Sequence, residues 1–238
     1  MKSFLVTVVG VVATATSAQA VELTGGAIEL SYSAFMDETD LDKVSVSGSL
    51  EVAFNRNISA QFDLGNDSFG TTDLSIGSVG LHGIYHVSDV TSLGAYYTRD
   101  NFDIGGADND VDLYGVEIGH EIGQNSLEAY LGRNDTNGSD GTMVGISGTY
   151  ALAHGFSLTG SLDYLDVEGA DLENVAVRLD RDVAENINLF VEVGSSKASA
   201  FGVSDSEPFI GIGGRISFGA DRGATFGRRS LGDLLPGL

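Results

Sequence analysis

The chain has 238 residues, with 34 acidic against 12 basic side chains and a formal net charge of −22; that sign excludes binding to a phosphate backbone, and so a nucleic-acid partner. It has no Cys, which rules out disulfides, thiol chemistry and lipidation at an N-terminal Cys. The 33 Gly and 2 Pro suit closely spaced strands and tight turns better than helices, and a hydrophobic content of 42% set in a regular pattern argues against the disorder that acidity alone would suggest.

Residues 1–20 read as a secretory signal. Lys2 gives a positive start, Phe4 to Val12 an apolar stretch too short to span a bilayer, and Ala18-Gln19-Ala20 a small-residue cleavage pattern. Export is expected, with the mature chain beginning near Val21.

From there to residue 218 the recurring signal is alternation with period two. Ile28, Leu30 and Tyr32 open it, and Val44 to Phe54 is its clearest case: Val44, Val46, Leu50, Val52 and Phe54 share one face while Ser45, Ser47, Ser49 and Glu51 share the other. The apolar sets then run Ile58 to Leu64, Val79 to Val87, Leu93 to Tyr97, Tyr114 to Ile122, Leu127 to Leu131, Val144 to Leu152, Phe156 to Tyr164, Val175 to Leu179, Ile187 to Val193 and Ile210 to Phe218. Twelve such segments, most of about nine to eleven residues, have the length of a tilted strand crossing a bilayer.

Short connections fall at Asn55-Arg56-Asn57, Ser88 to Thr91, Gly123-Gln124-Asn125, Ala153-His154-Gly155 and Arg181 to Asn186. They alternate with longer polar ones at Met36 to Lys43, Gly65 to Asp73, Asn101 to Asp110, Arg133 to Gly141, Val167 to Glu173 and Ser195 to Glu207. That rhythm fits a barrel with short periplasmic turns and long outer loops. A soluble sandwich or lipocalin-like barrel would alternate too, but its second face would have to form a dry core. Here that face carries Ser, Gly, Thr, Asn and carboxylates. The expected fold is therefore all-β, a transmembrane antiparallel up-and-down barrel of about twelve strands over residues 21–218, polar within and apolar toward lipid.

Opposite parity to the apolar sets assigns the pore-lining candidates. These are the carboxylates Glu29, Glu51, Asp63, Glu117, Glu121, Glu128, Asp163, Asp180 and Glu192, the cations Arg178 and Arg215, and the pair His82 and His86. Such a lumen concentrates cations and repels anions. Alternatively the same groups form a hydrogen-bonded network that fills the barrel and conducts nothing, because twelve strands lie between barrels filled by side chains and barrels that hold a water channel. Glu51, Glu117, Glu121 and Glu192 are the residues expected to tune selectivity.

Asp37-Glu38-Thr39-Asp40 and Asp108 to Asp112 are oxygen-rich; solvated acidic loops are the expectation, with Ca²⁺ or an ion bridge to lipopolysaccharide as the alternative. His82, His86 and Glu117 have ligand chemistry for a transition metal, but lumenal polarity is the simpler reading, and no cofactor is expected. None of the four His, His82, His86, His120 and His154, falls in an expected outer loop, where a hydrolase would place its base, so no enzymatic activity is expected.

The start Ala20-Val21-Glu22-Leu23-Thr24-Gly25-Gly26 and the final strand Ile210-Gly211-Ile212-Gly213-Gly214-Arg215-Ile216-Ser217-Phe218 resemble the porins of Gram-negative outer membranes, most of all α-proteobacterial porin-like proteins. The resemblance implies a place in the outer membrane among lipid and lipopolysaccharide, and passive conduction of small hydrophilic solutes or cations. The alternative is a non-conducting structural or surface-interaction barrel. General porins of this plan have about sixteen strands or more, so trimerisation does not transfer and homo-oligomerisation stays open. Chains of this kind end at an aromatic residue, here Phe218. The remainder, 219–238 with Arg222, Arg228, Arg229 and Pro236, lacks alternation and reads as a flexible periplasmic tail.

Overall fold

The computed structural model describes residues 22–38, 40–70, 74–136, 139–219 and 224–236. Residues 1–20, read as a signal, and Arg222 lie outside them. The described residues form twelve strands: β1 (Glu22–Phe35), β2 (Asp42–Asn55), β3 (Ile58–Phe69), β4 (Leu74–Ser88), β5 (Thr91–Ile104), β6 (Ala107–Ile122), β7 (Asn125–Thr136), β8 (Ser139–Ala151), β9 (Phe156–Val167), β10 (Ala170–Ala184), β11 (Ile187–Ala200) and β12 (Val203–Gly219). Each pairs antiparallel with its neighbours in sequence, and β1 closes the barrel on β12 with Ile28 opposite Ile216 and Tyr32 opposite Ile212. Closure leaves no backbone edge unpaired.

The faces sort as the alternation requires. Along β4, Ile76, Ser78, His82 and Ile84 are buried while Val79, Leu81 and Tyr85 are exposed. Leu30, Val46, Leu64, Val116, Val191 and Ile212 all lie open on the outside, whereas Glu51, Gln61, Asp63, Asp67, Thr98, Asp100 and Glu117 are buried within. A soluble barrel would have these classes exchanged. The apolar belt belongs against lipid, and the fold is a transmembrane up-and-down barrel.

Two expectations need correction. Most of the long polar connections are strand rather than loop. Asn101 pairs with Asp110 and Asp103 with Asp108, and Lys197 pairs with Ser206. β5 and β6 meet at Gly105-Gly106, whose φ angles of +61° and +89° are the left-handed pair that a two-residue hairpin needs. Hydropathy alternates only where one face meets lipid, whereas ladder hydrogen bonding continues into water. The apolar pattern therefore ends before the strands do.

The second correction is the C-terminal tail. At Gly219 the chain leaves the wall with φ +80°, and a Cβ there would lie 2.7 Å from Gly25 Cα, so only glycine fits the departure. Residues 224–236 lie inside the barrel. Phe226, Ser230 and Leu234 are 3%, 1% and 3% exposed, and a single helical turn, α1 (Leu231–Leu234), is capped by Ser230 Oγ accepting from Gly232 N at 3.1 Å. Leu234 packs on an inward apolar cluster of Tyr96, Val111, Leu113, Tyr130 and Met143, with Leu231 beside it. The segment is held by that burial and by charge.

Candidate functional site

The lumen and its occupant form the site, and the contacts can be followed from the barrel end that carries Glu22 and Gly219 toward the other. At the near end Glu51, whose partner across the ladder is Gln61, accepts from Thr225 N at 2.7 Å and from Ser59 Oγ at 2.8 Å. Gln61 holds Phe226 by its backbone: Nε2 donates to Phe226 O at 2.8 Å, and Oε1 accepts from Phe226 N at 3.1 Å. One side-chain amide thus takes the place of a strand partner. The same Nε2 donates to Asp63 at 3.0 Å.

The Phe226 ring stacks over His82, with centroids 6.4 Å apart and planes 16° from parallel. His82 Nδ1 lies 2.6 Å from Glu117 Oε1. Nε2 lies 2.7 Å from Asp63 Oδ2, at ion-pair distance but without hydrogen-bond alignment. Each ring nitrogen of His82 thus faces a carboxylate, and the one toward Glu117 is within a hydrogen bond. Glu117 uses its other oxygen, Oε2, to accept from Arg229 Nε at 3.1 Å. Arg229 also donates to Glu128, and its guanidinium sits 4.3 Å from the centre of the Tyr130 ring.

Arg228 turns to the adjacent wall. It donates to Asp67 Oδ2 at 3.0 Å and to Ser78 Oγ at 3.0 Å, and pairs with Asp233 of its own segment. Farther along, Asp100 Oδ2 accepts from Leu231 N at 2.7 Å and Ser230 Oγ at 3.1 Å. Lys43 Nζ donates to Gly232 O at 2.7 Å, and Ser33 donates to Pro236 O. Since Ser33 and Lys43 are paired near the far ends of β1 and β2, the segment runs most of the lumen's length.

Around Arg178, on the opposite wall, the charges are met without the segment. Arg178 Nε donates to Asp180 at 2.9 Å and NH1 reaches Glu29 at 3.3 Å, while its guanidinium lies 3.4 Å from the Phe190 ring centre. Between the segment and β7 to β9 remains a cavity of about 160 Å³, lined by groups that include Glu128, Tyr130, Ser147, Asp163 and Arg229.

Of the pore-lining candidates, Glu51, Asp63, His82, Glu117 and Asp180 are buried, and Glu29, His86, Glu121, Glu128, Asp163, Arg178, Glu192 and Arg215 are half-buried. The structure joins Asp63, His82, Glu117 and Glu128 into one network and Glu29, Arg178 and Asp180 into another. His86 stands apart from His82. It lies 3.0 Å from Ser59 Oγ and 2.9 Å from Ser92 Oγ, and among the described residues no three potential ligands converge on a metal position.

The reading of the sequence missed Lys43, Gln61, Asp67 and Asp100. Lys43, Asp67 and Asp100 lie in or beside stretches taken as loop or strand end, and carrying the inward parity a few residues farther would have found them. It also missed Arg228 and Arg229, for which the available signal was charge: adjacent guanidinium groups following a barrel with an acidic interior.

Neither a family model nor a curated protein matches the chain. Solved structures share its fold at low identity. A KdgM porin in complex with disordered oligogalacturonate has a TM-score of 0.61 at 12% identity, over 81% of this chain and 99% of that one. An outer membrane channel from Pseudomonas putida F1 has a TM-score of 0.58 at 13% identity, over 84% and 97%. These likenesses establish the barrel fold, and they give no support to the α-proteobacterial affinity in the resemblance.

Proposed function

We propose that the chain is an outer-membrane channel of the porin kind that passes small hydrophilic solutes and prefers cations, with its C-terminal segment occupying the lumen at rest. One observation carries the reading: a closed barrel with an apolar exterior and a wall of inward carboxylates, Glu51, Asp63, Asp67, Asp100, Glu117 and Glu128 among them. A barrel that needed only to be filled would be served by apolar side chains, whereas buried carboxylates carry a large desolvation cost unless paired or wet. The acidic wall also sets this barrel apart from one that takes oligogalacturonate, whose carboxylates it would repel. In this reading the barrel end bearing Glu22 and Gly219 faces the periplasm, the extended hairpins face outward among lipopolysaccharide, and residues 1–20 direct export.

The test is single-channel recording of the refolded full-length chain in planar bilayers under a KCl gradient, beside Arg228→Gln/Arg229→Gln. The expected result is brief, small openings for the native chain, longer or larger ones for the variant, and a cation-preferring reversal potential in both. Confirmed insertion without conductance in either protein would reject the channel and leave a structural barrel.

A further inference from the structure

The inner wall of β3 to β7 holds two guanidinium groups in two built positions. One is made by Asp67 and Ser78, each 3.0 Å from an Arg228 nitrogen; Asp67 is 0% exposed and is steadied by Ser45 Oγ at 2.6 Å. The other is made by Glu117, Glu128 and the face of Tyr130 around Arg229. Carboxylates offered at one edge of a guanidinium and an aromatic ring against its plane are the general chemistry of arginine recognition. All these wall groups belong to the barrel, and both cations belong to a segment that enters after Gly219.

That segment matches the wall incompletely. Asp100, 0% exposed, uses Oδ2 for Ser230 and Leu231, while its Oδ1 has no hydrogen-bond partner among the described residues; the buried Tyr96 hydroxyl and Thr98 Oγ1 are in the same condition. A buried acceptor or hydroxyl left unpaired costs stability, so the occupant forgoes interactions that another cationic solute can make. The 160 Å³ cavity borders the Arg229 position and gives it room beside the segment.

We propose that these two positions are a binding site for solutes carrying paired guanidinium groups, dibasic peptides of the Arg-Arg type, and that the C-terminal segment is a tethered competitor for it. The proposal deepens the channel reading by naming a solute class. The tether gives the chain's own Arg228-Arg229 pair a high local concentration, so a free dipeptide binds only as the segment withdraws or is weakened. A lysyl pair supplies charge without the planar fork or the ring stacking and binds less well.

The test is titration calorimetry of the refolded full-length chain in detergent with arginylarginine, lysyllysine and glutaminylglutamine. This readout is independent of conductance, so failure of the channel reading, seen as insertion without current, is distinguishable from failure of the site. Arg228→Gln/Arg229→Gln is expected to bind arginylarginine at least tenfold more tightly than the native chain, and lysyllysine more weakly, with no binding of glutaminylglutamine. Adding Glu117→Gln and Glu128→Gln to that variant is expected to abolish the gain. Because the chain has no Cys, Ser33→Cys/Pro236→Cys, at residues in contact, gives a second route: with the disulfide verified by mass spectrometry, the oxidised protein is expected to bind at least tenfold more weakly and reductant to restore binding. Equal affinity in native and loosened proteins, binding unaffected by the wall substitutions, or binding unchanged by the disulfide would each overturn the proposal.

Discussion

The two halves of the barrel wall solve the same electrostatic problem differently. On β1 and β10 to β12, cations are built into the strands: Arg178 lies within reach of Glu29 and Asp180 and covers Phe190, and Arg215 of β12 stands opposite Glu29 in the strand register. On β2 to β7 the inward carboxylates Glu51, Asp67, Asp100, Glu117 and Glu128 all take hydrogen bonds from the C-terminal segment. A wall that neutralises itself is complete when the strands close. A wall left in excess of one sign is stable only with counter-charge delivered from elsewhere, and groups so delivered are groups that can be removed or replaced.

Substitutions on the two walls should therefore behave differently. Arg229→Gln is expected to have the largest effect, a loss of roughly 3 kcal/mol, because it removes the cation shared by the buried Glu117 and by Glu128. It is read from guanidinium unfolding in detergent micelles, together with increased channel opening. Gln61→Ala should cost about 2 kcal/mol in the same assay, since it removes both hydrogen bonds on the Phe226 backbone and the forked contact to both oxygens of Asp63; it too should raise opening. Arg178→Gln should cost about 1 kcal/mol, because its partners Glu29 and Asp180 are 25% and 10% exposed and Glu29 recovers water, and it should leave opening unchanged. A rise in opening equal to that of Arg229→Gln would erase the distinction between the walls. Asp112→Asn, which breaks the outer-surface contact to Arg99 at 2.7 Å, should change neither quantity, since ion pairs in solvent contribute little.

The strands and their faces were legible because lipid on one side and polar groups on the other impose a period of two that side-chain chemistry records directly, as in Val44 to Phe54. The inward assignment of Glu51, Asp63, His82 and Glu117 followed from the same parity. The hairpin extensions were not legible from hydropathy, since Asp103 opposite Asp108 is held by backbone bonds in water, where neither face needs to be apolar. The path of the C-terminal segment was hidden for a different reason. A short stretch gripped by Gln61, Asp67, Asp100 and Glu128 has no period of its own and takes its shape from contacts distant in sequence. Its composition nevertheless carried the clue, in Phe226 and Leu234 that suit burial and in Arg228-Arg229 that suit an acidic interior.

The most direct test of the occupied lumen uses a single thiol in this Cys-free chain. Ser230, 1% exposed, is replaced by Cys, and its reaction with a bulky water-soluble maleimide is compared in the folded barrel with that of Ser204→Cys on an exposed hairpin. The account predicts that position 230 reacts at least a hundredfold more slowly than 204 in the native protein, that Arg228→Gln/Arg229→Gln narrows the gap, and that unfolding removes it. Equal rates at the two positions in the folded barrel would place the segment outside the lumen and contradict the account.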